Sequence, residues 1–350
     1  MSNNRSSETL PRINAKLVTT LLGLVAVVLL GFYLYQNREV FTSLRNITIS
    51  QIAIILGIET ANFLLGSALN YSMVRRFGYH VSYFDSVILQ YINSFLNKIL
   101  PTIGGGAAFR AVFLKKKYQL PYSQFAATLG GFYLISFIAT AGIGLASMAW
   151  IYQRYGVTNW IIIIAFSALI VPSLIVVFFS PRIPEKKNRI LNSLSRAVDG
   201  WNLLKKDKGY IAFYTAVIVL QLLLSSWQMF FAFKAIGIQT SYIQVLFLSS
   251  LGIILSFLNF TPDGIGIREV VYAFSASIVQ ISQASVVLGS LVLRALSIIT
   301  SLIVGGVGYW VFLRQIKEIE EMQNEKPATP RLTGELEIVE PTPQDVHPIN

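Results

Sequence analysis

A polar break between two apolar runs constrains the fold of this chain more than any other feature. From Ser256 to Glu269 the sequence reads SFLNFTPDGIGIRE, which places one proline, two glycines and three charged residues inside an apolar region. A similar segment, SFLNKILPTIGGG, begins at Ser94, and Arg110 follows it. Lipid tolerates broken backbone only where protein or water satisfies the freed N–H and C=O groups, and charges at that depth are costly. We therefore interpret the two breaks as the working part of the protein.

The composition indicates a polytopic membrane protein. Of the 350 residues 54% are hydrophobic and only 13% are charged, whereas soluble domains carry about 25% charged residues. The net charge of +11 does not indicate nucleic-acid binding, because the basic residues lie in loops beside apolar spans, as the positive-inside rule requires. There is no cysteine, and the two histidines are His80 and His347. We therefore predict no metal site, no cofactor and no enzymatic activity.

Six apolar segments are long enough to cross a bilayer core of about 30 Å at about 1.5 Å per residue. The bounds predicted for them are Leu17–Tyr35, Ile52–Val74, Tyr122–Ile151, Trp160–Phe179, Tyr210–Phe233 and Ala284–Leu313. Together they predict an all-α transmembrane domain over residues 17–315.

Basic residues predict the orientation of the spans in a cell membrane. Positive charges concentrate in residues 1–16, at Lys115–Lys117, in the loop 180–208 and just after the last span. The positive-inside rule places all these segments, and with them both chain termini, in the cytoplasm. Residues 322–350 are acidic, rich in proline and without apolar periodicity, so we predict a disordered cytoplasmic tail there.

Two shorter apolar stretches flank the breaks, and we expect each to form a re-entrant hairpin. If Phe84–Leu100 crossed completely, Lys115–Lys117 would lie outside the cell, against the charge rule. In the second break Tyr242–Phe260 leads in and Arg268–Ile281 leads out. The outgoing limb has 14 residues, about 21 Å of helix, which is too short for a full crossing.

The two breaks belong to an internal repeat. Ser94-Phe95-Leu96-Asn97 recurs as Ser256-Phe257-Leu258-Asn259, an offset of 162, and several later identities have an offset of 159. Each half, 17–151 and 160–315, would then contain three spans and one hairpin. An odd number of crossings inverts the second copy, and inverted repeats with broken helices at their interface are typical of alternating-access transporters.

The loop 180–208 has eight basic residues and an apolar pattern of helical spacing. We expect an amphipathic helix that lies on the anionic lipid of the inner leaflet. A solvated basic connector is the alternative. The apolar residues of the pattern are Ile190, Leu191, Leu194, Ala197, Val198, Trp201 and Leu204.

The motifs resemble the transmembrane domain of the lysylphosphatidylglycerol synthetase/flippase family. The resemblance rests on Leu100-Pro101, Gly104-Gly105 and Arg110 in the first break, on PDGIGIRE from Pro262 to Glu269, and on Arg294 within the last span. It covers about residues 60–315. The resemblance implies an integral membrane protein that takes part in the translocation of lipids or lipid-linked glycans. We expect no soluble synthetase domain in this chain.

Charged residues of the breaks are the candidate substrate-binding residues. Arg268 and Glu269 follow two glycines at the start of a helical limb, where exposed N–H groups attract an anion. Arg268 would bind a phosphate and Glu269 would orient it; the alternative is that both residues neutralise partners elsewhere and lock the hairpin. Arg294 sits in mid-span and needs compensation, either from a lipid headgroup or from an ion pair with Asp263 or Glu269. Arg110 has the same two alternatives.

Two further groups of residues complete the candidate site. Glu59 is either a proton-coupling carboxylate or a hydrogen-bonded structural residue of its span. Proline and glycine residues are expected to shape the hairpins. These hairpin-forming residues are Pro101, Gly104, Gly105, Gly106, Pro262, Gly264 and Gly266.

Three functions fit these patterns. The first is a translocase for a membrane phospholipid or lipid-linked headgroup that carries phosphate, with its acyl chains left in the bilayer. The second is a secondary transporter of a small anionic solute, and the third is a membrane assembly or regulatory partner that transports nothing. Movement of lipid would support the first function, uptake of solute the second, and the absence of both the third.

Overall fold

The computed structural model describes residues 45–99, 105–180, 205–257 and 261–325, with positions 35, 195, 198 and 201–202. Within these residues all regular structure is helical. The helices are α1 (Ile49–Arg76), α2 (Tyr83–Ile99), α3 (Gly105–Tyr118), α4 (Tyr122–Tyr155), α5 (Trp160–Phe179), α6 (Lys208–Ala235), α7 (Tyr242–Phe257), α8 (Ile267–Ser275), α9 (Gln283–Thr300) and α10 (Gly306–Glu325). The first predicted span, apart from Tyr35, and residues 326–350 lie outside the described residues.

Five helical segments are long and apolar enough to cross a membrane, which makes the chain a multi-pass membrane protein. They are α1, α4, α5, α6 and the run Gln283–Ile319, in which a π-helical turn, Ser301–Gly305, joins α9 to α10. The bounds predicted for α5 are confirmed. Many of its large apolar side chains point outward, and Trp160 and Phe179 are 72% and 78% exposed. Such a surface suits contact with lipid rather than with water.

The last span extends further than predicted. We expected it to end at Leu313 and a disordered tail to begin at residue 322, but α10 continues to Glu325. The extension is polar and its mean hydropathy is low, so apolar patterning could not reveal it. Helix propensity accounts for it, because residues 314–325 contain several Glu, Gln and Lys residues and no proline or glycine.

Helices α1 and α6 pack against each other in antiparallel directions. Near the middle of α1, Asn62 contacts Gln221, and at its end Arg76 pairs with Asp207 at 2.7 Å. As the residue number increases along α1, the number of the contacting residue on α6 decreases, so the two helices run in opposite directions. Both helices have 28 residues, and their start and end positions differ by the offset of 159 found in the sequence.

The following helices repeat the same packing at the same offset. The hydroxyl of Tyr83, at the start of α2, donates to the carbonyl of Leu64 at 3.0 Å. The hydroxyl of Tyr242, at the start of α7, donates to the carbonyl of Leu223, also at 3.0 Å. Each pair spans 19 residues. The contact between α1 and α2 therefore recurs between α6 and α7.

The short helices differ in detail from the predicted hairpin limbs. Helix α7 ends at Phe257 within the described residues, and α8 has nine residues rather than the predicted 14 of Arg268–Ile281. Residues 276–280 form turns instead of helix. At about 1.5 Å per residue α8 is about 14 Å long, far less than the thickness of a bilayer core.

The apolar residues Val198 and Trp201 of the basic loop pack on protein. Val198 and Trp201 are buried in an apolar cluster with residues of α4, α5 and α6, and the Trp201 indole donates to the carbonyl of Val177 at 3.1 Å. Both positions are helical, as the spacing predicted. We expected their side chains to face lipid, and this expectation was wrong. The other apolar residues of that pattern lie outside the described residues.

Candidate functional site

A cavity of ≈ 600 Å³ opens between the helices, and a smaller one of ≈ 320 Å³ adjoins it. The two share lining residues on α1, α2, α6, α7 and α9, so we treat them as two parts of one cavity. The charged residues of the larger part are Glu59, Lys98, Arg110, Asp263 and Arg268. Ligand pockets have volumes of about 300–1,000 Å³, and this space is of that size.

Arg294 is held by an ion-pair cluster. Its Nε lies 3.2 Å from the Asp263 carboxylate and one terminal nitrogen lies 2.6 Å from the Glu269 carboxylate. The other terminal nitrogen donates to the backbone carbonyl of Asp263 at 3.3 Å. The Arg294 side chain is 9% exposed. Of the two alternatives for Arg294, the structure contains the ion pair, and both neighbouring carboxylates are used in it.

The glycines of the second break make this cluster possible. Asp263, Gly264 and Gly266 have φ angles of +52°, +70° and +87°, a left-handed backbone that glycine adopts readily. The turn brings the Gly266 N–H within 2.7 Å of the second Glu269 carboxylate oxygen. Glu269 thus caps its own helix, α8. It occupies one of the N–H groups that we expected to receive an anion.

Arg268 is the cation of the second break that remains unpaired. Its side chain lines both parts of the cavity. Within the described residues no carboxylate forms an ion pair with it, and its buried Nε has no hydrogen-bond partner. Its positive charge is therefore available to a ligand in the cavity.

Lys98 is a second cation of the cavity, and the sequence analysis missed it as a site residue. Its ammonium group donates to the hydroxyls of Ser94, Ser297 and Ser301 at 2.9, 3.0 and 3.1 Å. These partners are neutral, and no described carboxylate forms an ion pair with Lys98. The sequence signal was a lysine inside the first break, four residues after Ser94.

Arg110 is the third cation and reaches the cavity from α3. It is 8% exposed, donates to the Asn70 amide oxygen at 2.9 Å and lies 5.2 Å from the ring centre of Phe125. Its Nε has no hydrogen-bond partner. Neutral groups alone compensate Arg110 within the described residues, which leaves its charge uncancelled.

Glu59 lies in the wall of both parts of the cavity. It is 6% exposed, and one of its carboxylate oxygens accepts a hydrogen bond from Thr300 at 3.3 Å. The other oxygen is buried without a partner. The role of Glu59 in coupling stays a prediction.

The first break depends on close contact between α2 and α3. The Gly106 N–H donates to the Asn97 amide oxygen at 3.1 Å, and a Cβ on Gly106 would lie 2.5 Å from the Asn93 carbonyl. Only glycine fits there. Gly105 begins α3, Pro262 begins a short 3-10 turn, and Pro101 and Gly104 lie outside the described residues.

Comparison with known proteins identifies the family. The chain matches the family described as "Lysylphosphatidylglycerol synthase TM region" over residues 17–305. No individual curated protein matches it. Among the described residues there is no group of His, Cys, Asp and Glu side chains that would hold a metal ion. The family match covers most of the chain, including every charged residue of the cavity, and the chain therefore belongs to the lysylphosphatidylglycerol synthase transmembrane-region family.

Proposed function

We propose that this protein translocates the phosphate-bearing headgroup of a membrane lipid or lipid-linked glycan. The observation that carries the proposal is the set of three cations, Lys98, Arg110 and Arg268, around one cavity. None of them has a carboxylate ion pair among the described residues. Of the two acids that line the cavity, Asp263 is paired with Arg294, and Glu59 has no described ion pair. An excess of buried positive charge stabilises an anionic guest.

The apolar outer surface supports a lipid as the source of the anion. Helix α5 exposes large apolar side chains along its length, so acyl chains can stay in the bilayer while the headgroup enters the cavity. A headgroup also fits the cavity volume of ≈ 600 Å³. Family membership points in the same direction, because the resemblance of the motifs implies lipid translocation.

The proposed mechanism is alternating access between two inverted repeats. The antiparallel packing of α1 and α6 at the offset of 159 supports it. So do the short helices α2, α3, α7 and α8, which we interpret as two re-entrant hairpins that enter from opposite faces. The cavity has walls from both halves, as the substrate sites of inverted-repeat transporters do.

The proposal includes an orientation in the cell membrane with both termini in the cytoplasm. Basic residues at the end of α1, at the end of α3 and after the last apolar window support it under the positive-inside rule. We also propose that the exposed Lys205 and Lys206 of the basic loop contact anionic lipid of the inner leaflet.

Transport by purified protein in vesicles tests the function. A fluorescent anionic phospholipid is placed in one leaflet, and its appearance in the other is followed for the wild-type protein and for Arg268→Gln. We expect the wild-type protein to accelerate the movement. Arg268→Gln should slow it at least about tenfold, because the substitution removes the positive charge that attracts the phosphate; a tenfold change corresponds to about 1.4 kcal/mol. Arg154→Gln is the matched control, because Arg154 is an exposed cation at the end of α4.

Two results would reject the proposal. One is a normal transport rate for a well-folded Arg268→Gln protein. The other is a wild-type protein that moves no lipid. Uptake of soluble phosphate by the same vesicles would then favour the transporter of a small anion, and co-purification of a stable protein partner without any transport would favour the assembly partner.

A further inference from the structure

Amide side chains form an unusually large part of the cavity wall. Seven Asn and Gln side chains, all on α1, α2 and α6, line its larger part. Polar side chains within transmembrane segments are rare and face the interior of the helix bundle, where they find partners or line a pathway. Hydrogen bonding between helices accounts for some of these amides but not for all of them.

Several amide groups have no partner within the described part of the chain. Asn62 and Gln221 bond to each other, and the Asn70 amide donates to the Gln90 oxygen at 3.1 Å. The Nε2 of Gln90, the Oε1 of Gln221 and the amide of Asn93 have no hydrogen-bond partner there. All three residues line the cavity and are only partly buried, so a ligand in the cavity can contact them.

The architecture of the repeat does not require the amides. In the second half, Met229 and Ser249 occupy the positions equivalent to Asn70 and Gln90, and they make the equivalent contact at 3.6 Å. A sulfur and a hydroxyl therefore suffice to join the two helices there. The amides are a property of the first half, next to Arg110, and their presence needs an explanation other than helix packing.

Gly66 brings amides from both halves together. A Cβ on this α1 residue would lie 3.0 Å from the Nε2 atoms of both Gln90 and Gln221. The missing side chain therefore leaves a gap over which two amides from different helices converge. Aromatic side chains border the same cavity, among them Tyr133 and Phe257, whose ring centres are 5.2 Å apart.

An amide matches a hydroxyl group, because each has both a donor and an acceptor and neither has a net charge. Neighbouring hydroxyls on a sugar or polyol present a row of such groups, and the apolar faces of a sugar ring stack on aromatic rings. A headgroup with an ammonium, in contrast, would be repelled by Lys98, Arg110 and Arg268. The lining therefore suits a neutral, hydroxyl-rich group attached to a phosphate.

We propose that Gln90, Asn93 and Gln221 form a subsite for a polyhydroxyl group whose phosphate is held by the cavity cations. This inference rests on the proposed function and names the substrate class as polyol or glycosyl phosphates. The phosphate supplies charge for Lys98, Arg110 and Arg268, and the hydroxyls supply partners for the unpaired amides. The cations would bind any headgroup that carries phosphate. The amides would favour those headgroups that also carry hydroxyl groups.

A comparison of two lipids tests the subsite with the full-length protein in vesicles. Labelled phosphatidylinositol and labelled phosphatidic acid both carry phosphate, but only phosphatidylinositol carries a polyol. We expect the wild-type protein to move phosphatidylinositol faster. Gln90→Met and Asn93→Leu, made separately, keep the side-chain volume nearly unchanged and remove the hydrogen bonds. Each should slow phosphatidylinositol about tenfold and leave phosphatidic acid unchanged.

Gln153→Met is the matched control, because Gln153 is an exposed amide on α4 outside the cavity. If both lipids slow equally in well-folded variants, or if the wild-type protein does not distinguish them, the subsite is wrong while the translocase stands. If the wild-type protein moves neither lipid and takes up no solute, both proposals fail. Uptake of soluble inositol phosphate, reduced by Gln90→Met, supports the substrate class and assigns it to a solute.

Discussion

Asn62 and Gln221 hydrogen-bond to each other across the contact between α1 and α6. The Asn62 amide donates to the Gln221 carbonyl at 3.4 Å, and the Gln221 amide donates to the Asn62 carbonyl and side-chain oxygen at 3.1 Å. The two residues are 159 positions apart, which is the offset of the repeat. Equivalent positions contact each other only close to the axis that relates two copies. In the proposed inverted repeat, this axis therefore passes beside the cavity.

The reciprocal bond predicts coupled effects on stability. Asn62→Leu and Gln221→Leu each remove one partner, and each should lower the free energy of unfolding by about 0.5–1.5 kcal/mol. The double variant should lose less than the sum, because the shared hydrogen bonds disappear only once. Thermal denaturation in detergent of the four proteins measures this coupling. Strict additivity would show that the two amides act independently.

The Arg294 cluster predicts a contrast between two arginines of the cavity region. Arg294→Met leaves the carboxylates of Asp263 and Glu269 without their cation, and removal of one partner from a buried ion pair costs about 3–5 kcal/mol. Arg268→Met breaks no described ion pair, so we expect a loss of less than about 1 kcal/mol. The melting temperatures of the purified variants provide the measurement.

Equal destabilisation by the two substitutions would contradict this division of roles. Arg294→Lys provides a further control, because it keeps the positive charge but loses the planar guanidinium that reaches both carboxylates. We expect it to be intermediate in stability.

The sequence predicted the helices better than it predicted the site. Apolar length alone located α5, and the segments that the offset of 159 relates are both helices of 28 residues, α1 and α6. Five of the charged residues named from the sequence do line this cavity: Glu59, Arg110, Asp263, Arg268 and Arg294. The sequence could establish this much because breaks and charges in apolar segments are local features.

The roles of individual charges could not be predicted, because they depend on contacts between distant segments. The partners of Lys98 include Ser297 and Ser301, which lie about 200 positions away and are common residues without any motif. The sequence left two alternatives for Arg294, a headgroup contact or an ion pair. Its distances to Asp263 and Glu269 identify the ion pair. Pairing, rather than residue type, decides which cation is free.

Close packing at the first break predicts that Gly106 cannot be replaced. In Gly106→Ala the new Cβ would lie 2.5 Å from a backbone oxygen of α2, which has no flexible end that could move aside. We expect a loss of about 1–3 kcal/mol and reduced transport, since α3 carries Arg110. Gly57→Ala is the control, because a Cβ there has nothing within 4 Å and alanine favours helix. Its stability should be unchanged or higher, and a comparable loss in both variants would contradict the packing argument.

The ion pair between Arg76 and Asp207 predicts a pH-dependent contribution to stability outside the spans. The hydrogen bond from Arg76 lowers the pKa of Asp207 below its ordinary value. Asp207 also caps α6, since its side chain accepts from the Tyr210 N–H at 2.9 Å. A carboxyl with a lowered pKa stabilises the fold above its ordinary pKa of about 3.9 and loses that effect as the pH falls through the lowered value.

Two substitutions separate the ion pair from the cap. Asp207→Asn keeps a good N-cap residue and removes the charge, whereas Asp207→Ala removes both. We expect the melting temperature of Asp207→Asn to lie slightly below that of the wild-type protein at pH 7. The difference should shrink as the pH falls from about 4 through the lowered pKa of Asp207, where the wild-type carboxyl becomes protonated too. Asp207→Ala should stay less stable than Asp207→Asn at every pH, and a difference between wild type and Asp207→Asn that does not change with pH would exclude the ion pair as its cause.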